Sequence, residues 1–144
     1  MYTMPEFVPE PKTILVVDDD LSVLGVIKVM LESGNYNILL AHSAELALRF
    51  VEREDLAIDL MLTDVMMPDV SGPDLAEKVL AIRPNLKVLF MSGFTDSEVV
   101  RVKVLDRALG FLPKPFTSDG LVDRIESVLN VQRANAKAAA TSWR

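Results

Sequence analysis

Ile14-Leu15-Val16-Val17-Asp18-Asp19-Asp20 runs four apolar residues straight into three carboxylates. An apolar run without polar alternation is the pattern of a strand buried on both faces, which requires a parallel sheet covered by helices. Similar short runs recur at Tyr36–Ala41, Ile58–Thr63, Val88–Met91 and Gly110–Leu112. Helical spacing fills the intervals. Leu21, Leu24, Ile27, Val29 and Leu31 mark a first helix, ended by Ser33-Gly34. Ala44–Glu54 is a second, with Ser43 placed to cap it, and Ser71–Ile82 a third, closed by Arg83-Pro84. Thr95-x-x-Glu98 has the form of a capping box that opens a fourth. Leu121, Ile125, Val128 and Leu129 share one face of a fifth. Five strand–helix pairs describe a doubly wound α/β fold, and right-handed crossovers restrict its topology heavily.

The 144 residues suffice for one domain, and the 50% hydrophobic, 25% charged balance is that of a soluble globular chain. Residues 1–11, with Pro5, Pro9 and Pro11, read as a lead-in without signal-peptide character. Residues 12–131 form the domain. Residues 132–144 are an Ala-rich tail that can prolong the last helix and is too short for an output domain. No apolar run approaches the roughly 18 residues of a membrane span, so no membrane partner is expected. Absence of cysteine excludes disulfides, zinc thiolates and cysteine nucleophiles, and fits a cytoplasmic location. A net charge of −6 with scattered Lys and Arg argues against nucleic acid as a partner, since phosphate contacts would supply most of that affinity.

The polar residues gain meaning from their positions on this scaffold. Asp18, Asp19 and Asp20 follow the first strand, Asp64 the third, Ser92 closes the fourth and Lys114 follows the fifth. In an open parallel sheet these ends form one edge, where ligands bind. Carboxylates about 4 Å apart repel by roughly 4 kcal/mol at an effective dielectric near 20, and a divalent cation relieves that repulsion. An oxygen-only donor set favours Mg²⁺ or Mn²⁺ over zinc. A carboxylate beside such an ion can act as a nucleophile toward phosphorus, with the Lys114 ammonium and Ser92 hydroxyl holding the phosphoryl oxygens. The single histidine, His42, follows the second strand away from this edge. A phosphohistidine donor must therefore belong to another protein.

Four segments, Ile14–Asp20, Leu62-Thr63-Asp64-Val65-Met66-Met67-Pro68-Asp69-Val70-Ser71-Gly72, Leu89-Phe90-Met91-Ser92-Gly93 and Phe111-Leu112-Pro113-Lys114-Pro115-Phe116-Thr117, together resemble the signatures of response-regulator receiver domains in two-component phosphorelay signalling. The resemblance extends from about Lys12 to Val131. It implies a flavodoxin-like sheet of order 2-1-3-4-5 with Asp64 as phosphoacceptor. It implies Mg²⁺ held by Asp19, Asp64 and the Met66 backbone carbonyl, with Asp18 acting through water. Ser92 and Lys114 would contact the phosphoryl group, and the Lys114–Pro115 peptide would be cis. Ser92 and Phe111 would form the switch, with Ser92 drawn toward phosphorylated Asp64 and Phe111 turning into the vacated space. The implied partners are a histidine kinase or histidine phosphotransfer protein and a downstream protein target. A homodimer would use the face of the fourth helix, fifth strand and fifth helix.

Two positions depart from the commonest pattern: Ser92 replaces Thr and keeps the hydroxyl, and Phe111 replaces Tyr and loses one. Asp20 is expected to cap the first helix and not to bind metal. Rival readings meet specific obstacles. A dinucleotide-binding turn would need glycines where Asp18–Asp20 stand, and no G-x-x-x-x-G-K-[ST] occurs. A phosphatase with an Asp nucleophile on its first strand and a substrate cap has no chain left for the cap. A degenerate receiver serving only as an interaction module is the alternative, although every residue that the chemistry needs is present. The phrases around Ser92 and Lys114 suit a receiver of a hybrid histidine kinase as well as a stand-alone regulator. The catalysis expected is limited to the domain's own phosphorylation and dephosphorylation.

Overall fold

The computed structural model describes residues 10–93 and 110–141, with side chains as far as Asn130. The elements are β1 (Lys12–Val17), α1 (Leu21–Glu32), β2 (Tyr36–Ala41), α2 (Ala44–Glu52), β3 (Leu60–Asp64), α3 (Gly72–Ile82), β4 (Lys87–Ser92), β5 (Gly110–Pro113) and α4 (Ser118–Thr141). Here α4 is the fifth helix of the sequence reading. The fourth, expected to open at Thr95, lies outside the described residues. All strands pair in parallel, in the order β2-β1-β3-β4-β5.

The apolar run of β1 divides by parity. Leu15 and Val17 enter a core with Ala44, Ala47, Val51, Leu75 and Val79, from α2 and α3. Ile14 and Val16 enter a second core with Leu24, Ile27, Leu31, Leu121 and Ile125, from α1 and α4. Each fully buried aliphatic side chain contributes about 1.5–3 kcal/mol, so helices on both faces are the outcome that leaves neither set wet. The edge strands β2 and β5 are only partly buried, unlike the three between them.

Local signals set the boundaries. Asp20 caps α1 by accepting from the Ser22 N–H at 2.9 Å, and Ser43 caps α2 through the Leu46 N–H at 3.1 Å. Ser71, expected inside the third helix, instead caps it through the Asp74 N–H, with Pro73 in the first turn. The second helix stops at Glu52, short of Glu54. Arg83 donates to the carbonyls of Val51 at 2.9 Å and Arg53 at 2.6 Å, so the freed acceptors find a partner from a distant helix end. The third strand starts at Leu60 and not Ile58, because Asp59 turns to accept the Thr13 N–H at 2.8 Å while donating its own N–H to the Thr13 carbonyl. On α1, Leu21 and Val29 were expected to share the apolar spacing of Leu24, Ile27 and Leu31. They are 70% and 67% exposed.

Candidate functional site

The C-terminal ends of β1, β3, β4 and β5 meet at one edge of the sheet. Parallel pairing puts Asp64 beside Met91, and the Lys114 N–H donates to the Ser92 carbonyl at 2.8 Å. This register brings residues 18, 64, 92 and 114 together from four chain segments. Oxygen atoms of Asp18, Asp19 and Asp64 lie within 4.8 Å of one another. The Lys114 Nζ is 3.6 Å from Asp18 Oδ2 and 3.6 Å from Asp64 Oδ1, an ion-pair distance to both and longer than a full hydrogen bond.

The three carboxylates differ in environment. Asp18 is 1% exposed, Asp64 partly buried and Asp19 exposed. Asp18 Oδ1 accepts the Asp20 N–H at 2.9 Å, whereas Asp18 Oδ2 is buried without a hydrogen-bond partner. Burial pushes the Asp18 carboxyl above its ordinary range. The Asp20 N–H and the Lys114 ammonium work against this rise, and the charge of Asp19 adds to it. A buried oxygen with no hydrogen bond and only the Lys114 ammonium near it, among crowded carboxylates and with no His or Cys in the cluster among the described residues, fits a hard divalent cation.

Ser92 is buried at the end of β4 and its hydroxyl donates to the Gly93 carbonyl at 3.1 Å. Met66, two residues beyond Asp64, has a side chain 52% exposed. Phe111, partly buried on β5, packs against the α2/α3 core and pairs in register with Phe90. The Lys114–Pro115 peptide is cis. Asp20 is engaged at the α1 cap and His42 is exposed beyond the end of β2. Two neighbours of Asp64 escaped the sequence reading as site residues. The buried Thr63 hydroxyl donates to the Asp64 carbonyl at 3.1 Å, and Gly72 sits directly against the same carbonyl. Both lie in the Leu62–Gly72 segment that carries the family resemblance, where no role was attached to either.

A receiver fold with an acidic pocket and a lysine at its strand ends is the class that this geometry defines. The response regulator receiver domain model matches residues 14–126, and the chain belongs to that family. The transcriptional regulatory protein ZraR of Escherichia coli (strain K12) is 34% identical over 116 residues, 81% of this chain and 26% of that protein. The sensor kinase CckA of Brucella abortus (strain 2308) is 32% identical over 121 residues, covering 83% of this chain and 13% of that one. The chain thus spans about a quarter or less of the length of these curated relatives. Among solved structures, a response regulator receiver domain protein from Clostridium thermocellum superposes with a TM-score of 0.77 at 30% identity, covering 85% of this chain and 98% of that one. A CheY-like receiver domain protein from Methanospirillum hungatei JF-1 gives the same score and identity, covering 87% and 98%. Among the described residues no helix is long and apolar enough to cross a membrane.

Proposed function

We propose that this chain takes a phosphoryl group from a phosphohistidine on a partner protein onto Asp64, and that the acyl phosphate biases a protein-interaction surface before it is hydrolysed. The observation that carries this reading is the Lys114 ammonium, 3.6 Å from Asp64 and from Asp18, beside three clustered carboxylates at the sheet edge. An Asp64 carboxylate oxygen attacks phosphorus. The P–O bond forms as the P–N bond to imidazole breaks, and the departing imidazole nitrogen takes up a proton. Lys114 is already held at the reacting carboxylate and turns toward the phosphoryl oxygens as negative charge collects on them. Ser92, at the adjoining strand end, supplies a hydroxyl donor to the same oxygens. Mg²⁺, with Mn²⁺ as a substitute, would be held by Asp19, Asp64 and the Met66 carbonyl, with Asp18 through water, and would supply neutralising charge to the phosphoryl group.

The switch is assigned to Ser92 and Phe111. Movement of the Ser92 side chain toward the acyl phosphate opens space for the Phe111 ring, which remodels the surface near β5. Such an event needs only to bias two nearly balanced states. The downstream partner is a protein, bound on the face that includes β5 and α4, where a second copy of the chain is the homodimer candidate. The donor is a histidine kinase or histidine phosphotransfer protein, and the chain serves as a stand-alone regulator or as the receiver of a hybrid kinase. The test is transfer of radiolabelled phosphoryl from a phosphorylated histidine phosphotransfer protein. Label that appears on the wild type, is released by alkali and is absent from Asp64→Asn is the expected result. Label retained in Asp64→Asn would refute Asp64 as acceptor, and turnover of small phosphate esters would favour a phosphatase.

A further inference from the structure

We infer that Gly72 and Thr63 are positioning residues for Asp64, both set against its backbone carbonyl; this rests on Asp64 being the phosphoacceptor. A Cβ on Gly72 would lie 2.3 Å from the Asp64 carbonyl oxygen, 3.0 Å from Val65 Cα and 3.1 Å from the Asp64 carbonyl carbon. These are backbone atoms, not the movable end of a side chain. The peptide has little freedom to retreat. The Val65 N–H donates to the Met91 carbonyl at 3.0 Å, the Val65 carbonyl accepts the Gly72 N–H at 2.8 Å, and Asp64 pairs with Met91 in the sheet. The Asp64 carbonyl also accepts from the fully buried Thr63 hydroxyl at 3.1 Å. The first residue of α3 therefore abuts the backbone of the acceptor itself. Any side chain there displaces the peptide that aims the Asp64 carboxylate and starts the loop to Met66. Misplacement by about 1 Å is enough to slow a positioned reaction up to about a hundredfold.

Gly34 provides a contrast, because the contact there is with a side chain. A Cβ there would meet the Tyr36 ring at 2.5 Å, a side chain that can shift, at the opposite edge of the sheet where β2 begins. The experiment measures the rate of phosphorylation by acetyl phosphate as a function of Mg²⁺ concentration, and Mg²⁺ binding by amide chemical shifts, for wild type, Gly72→Ala, Thr63→Val and Gly34→Ala. The expected result is a rate at saturating Mg²⁺ at least about tenfold lower in Gly72→Ala and about threefold lower in Thr63→Val. Gly34→Ala should keep wild-type rates. Wild-type rates and Mg²⁺ dependence in folded Gly72→Ala would overturn the inference. Should Gly72→Ala fail to fold, Thr63→Val decides by the same criterion. Should the wild type bind Mg²⁺ but accept no phosphoryl group, the receiver chemistry fails separately. Unaltered Mg²⁺ binding in both variants would then overturn the positioning role as well.

Discussion

Asp18 holds a carboxylate almost out of contact with solvent, with one oxygen hydrogen-bonded to the Asp20 N–H and the other 3.6 Å from the Lys114 ammonium, beyond hydrogen-bond length. Its pKa in the folded protein is raised above 3.8, chiefly by burial. Folding therefore favours its protonated form. The stabilisation from this group is complete below about pH 3.8 and is lost as pH rises through the raised value, so at neutral pH the metal-free protein carries a buried charge as a cost. Asp18→Asn should raise the neutral-pH stability in EDTA by about 1 kcal/mol, seen as a Tm higher by a few degrees. The same change should weaken Mg²⁺ binding. A lower metal-free Tm would contradict this balance of terms. Lys114 contacts both Asp18 and Asp64, and its replacement by Met removes the only cation recorded at either carboxylate among the described residues. Lys114→Met should slow phosphorylation of Asp64 by acetyl phosphate about a hundredfold, read as a rate by mass spectrometry.

At the scale of elements, the end of α2 depends on a residue thirty positions further on. Arg83 donates to the freed Val51 carbonyl of α2 and to that of its C-cap Arg53, and Arg83→Ala should cost about 1–2 kcal/mol in urea denaturation while leaving the phosphorylation rate unchanged. That contact also explains where local reading stopped. The pattern from Ala44 continues to Glu54 on propensity, and nothing near Arg53 announces an acceptor pairing with a remote guanidinium. Caps at Asp20 and Ser43 were legible because their partners lie two or three residues away. The strand order came only with the family resemblance, whereas the strand-end cluster was legible in the strand pattern itself. Doubly buried strands force helices on both faces, and parallel pairing then sends residues 18, 64, 92 and 114 to the same edge. Gly72 and Thr63 were not legible as site neighbours, since their effect comes through close approach to a backbone carbonyl. Leu21 and Val29 misled in the opposite sense: apolar type and helical spacing suggested burial, but both point away from the sheet.

Another exposed apolar residue of α1 matters for the molecule as a whole. Val26, 55% exposed, lines an apolar hollow of about 330 Å³ between α1 and the β5–α4 loop, and Lys114 borders the same hollow. If the proposed phosphohistidine donor docks over this hollow to reach Asp64, it contacts Val26, whereas acetyl phosphate does not. Val26→Glu should therefore slow transfer from a phosphorylated histidine phosphotransfer protein by about tenfold or more and leave the acetyl phosphate rate unchanged. Wild-type rates with both donors in this variant would place the docking surface elsewhere. Binding energy on this face and chemistry at the sheet edge are thereby separable by experiment.

Intact mass after incubation with acetyl phosphate, with and without Mg²⁺, on the wild type and Asp64→Asn, tests the phosphoacceptor chemistry most directly. One added phosphoryl group that requires both Mg²⁺ and Asp64 is the expected result. A folded wild-type chain that remains unmodified with Mg²⁺ present, or an adduct that survives in Asp64→Asn, would contradict it.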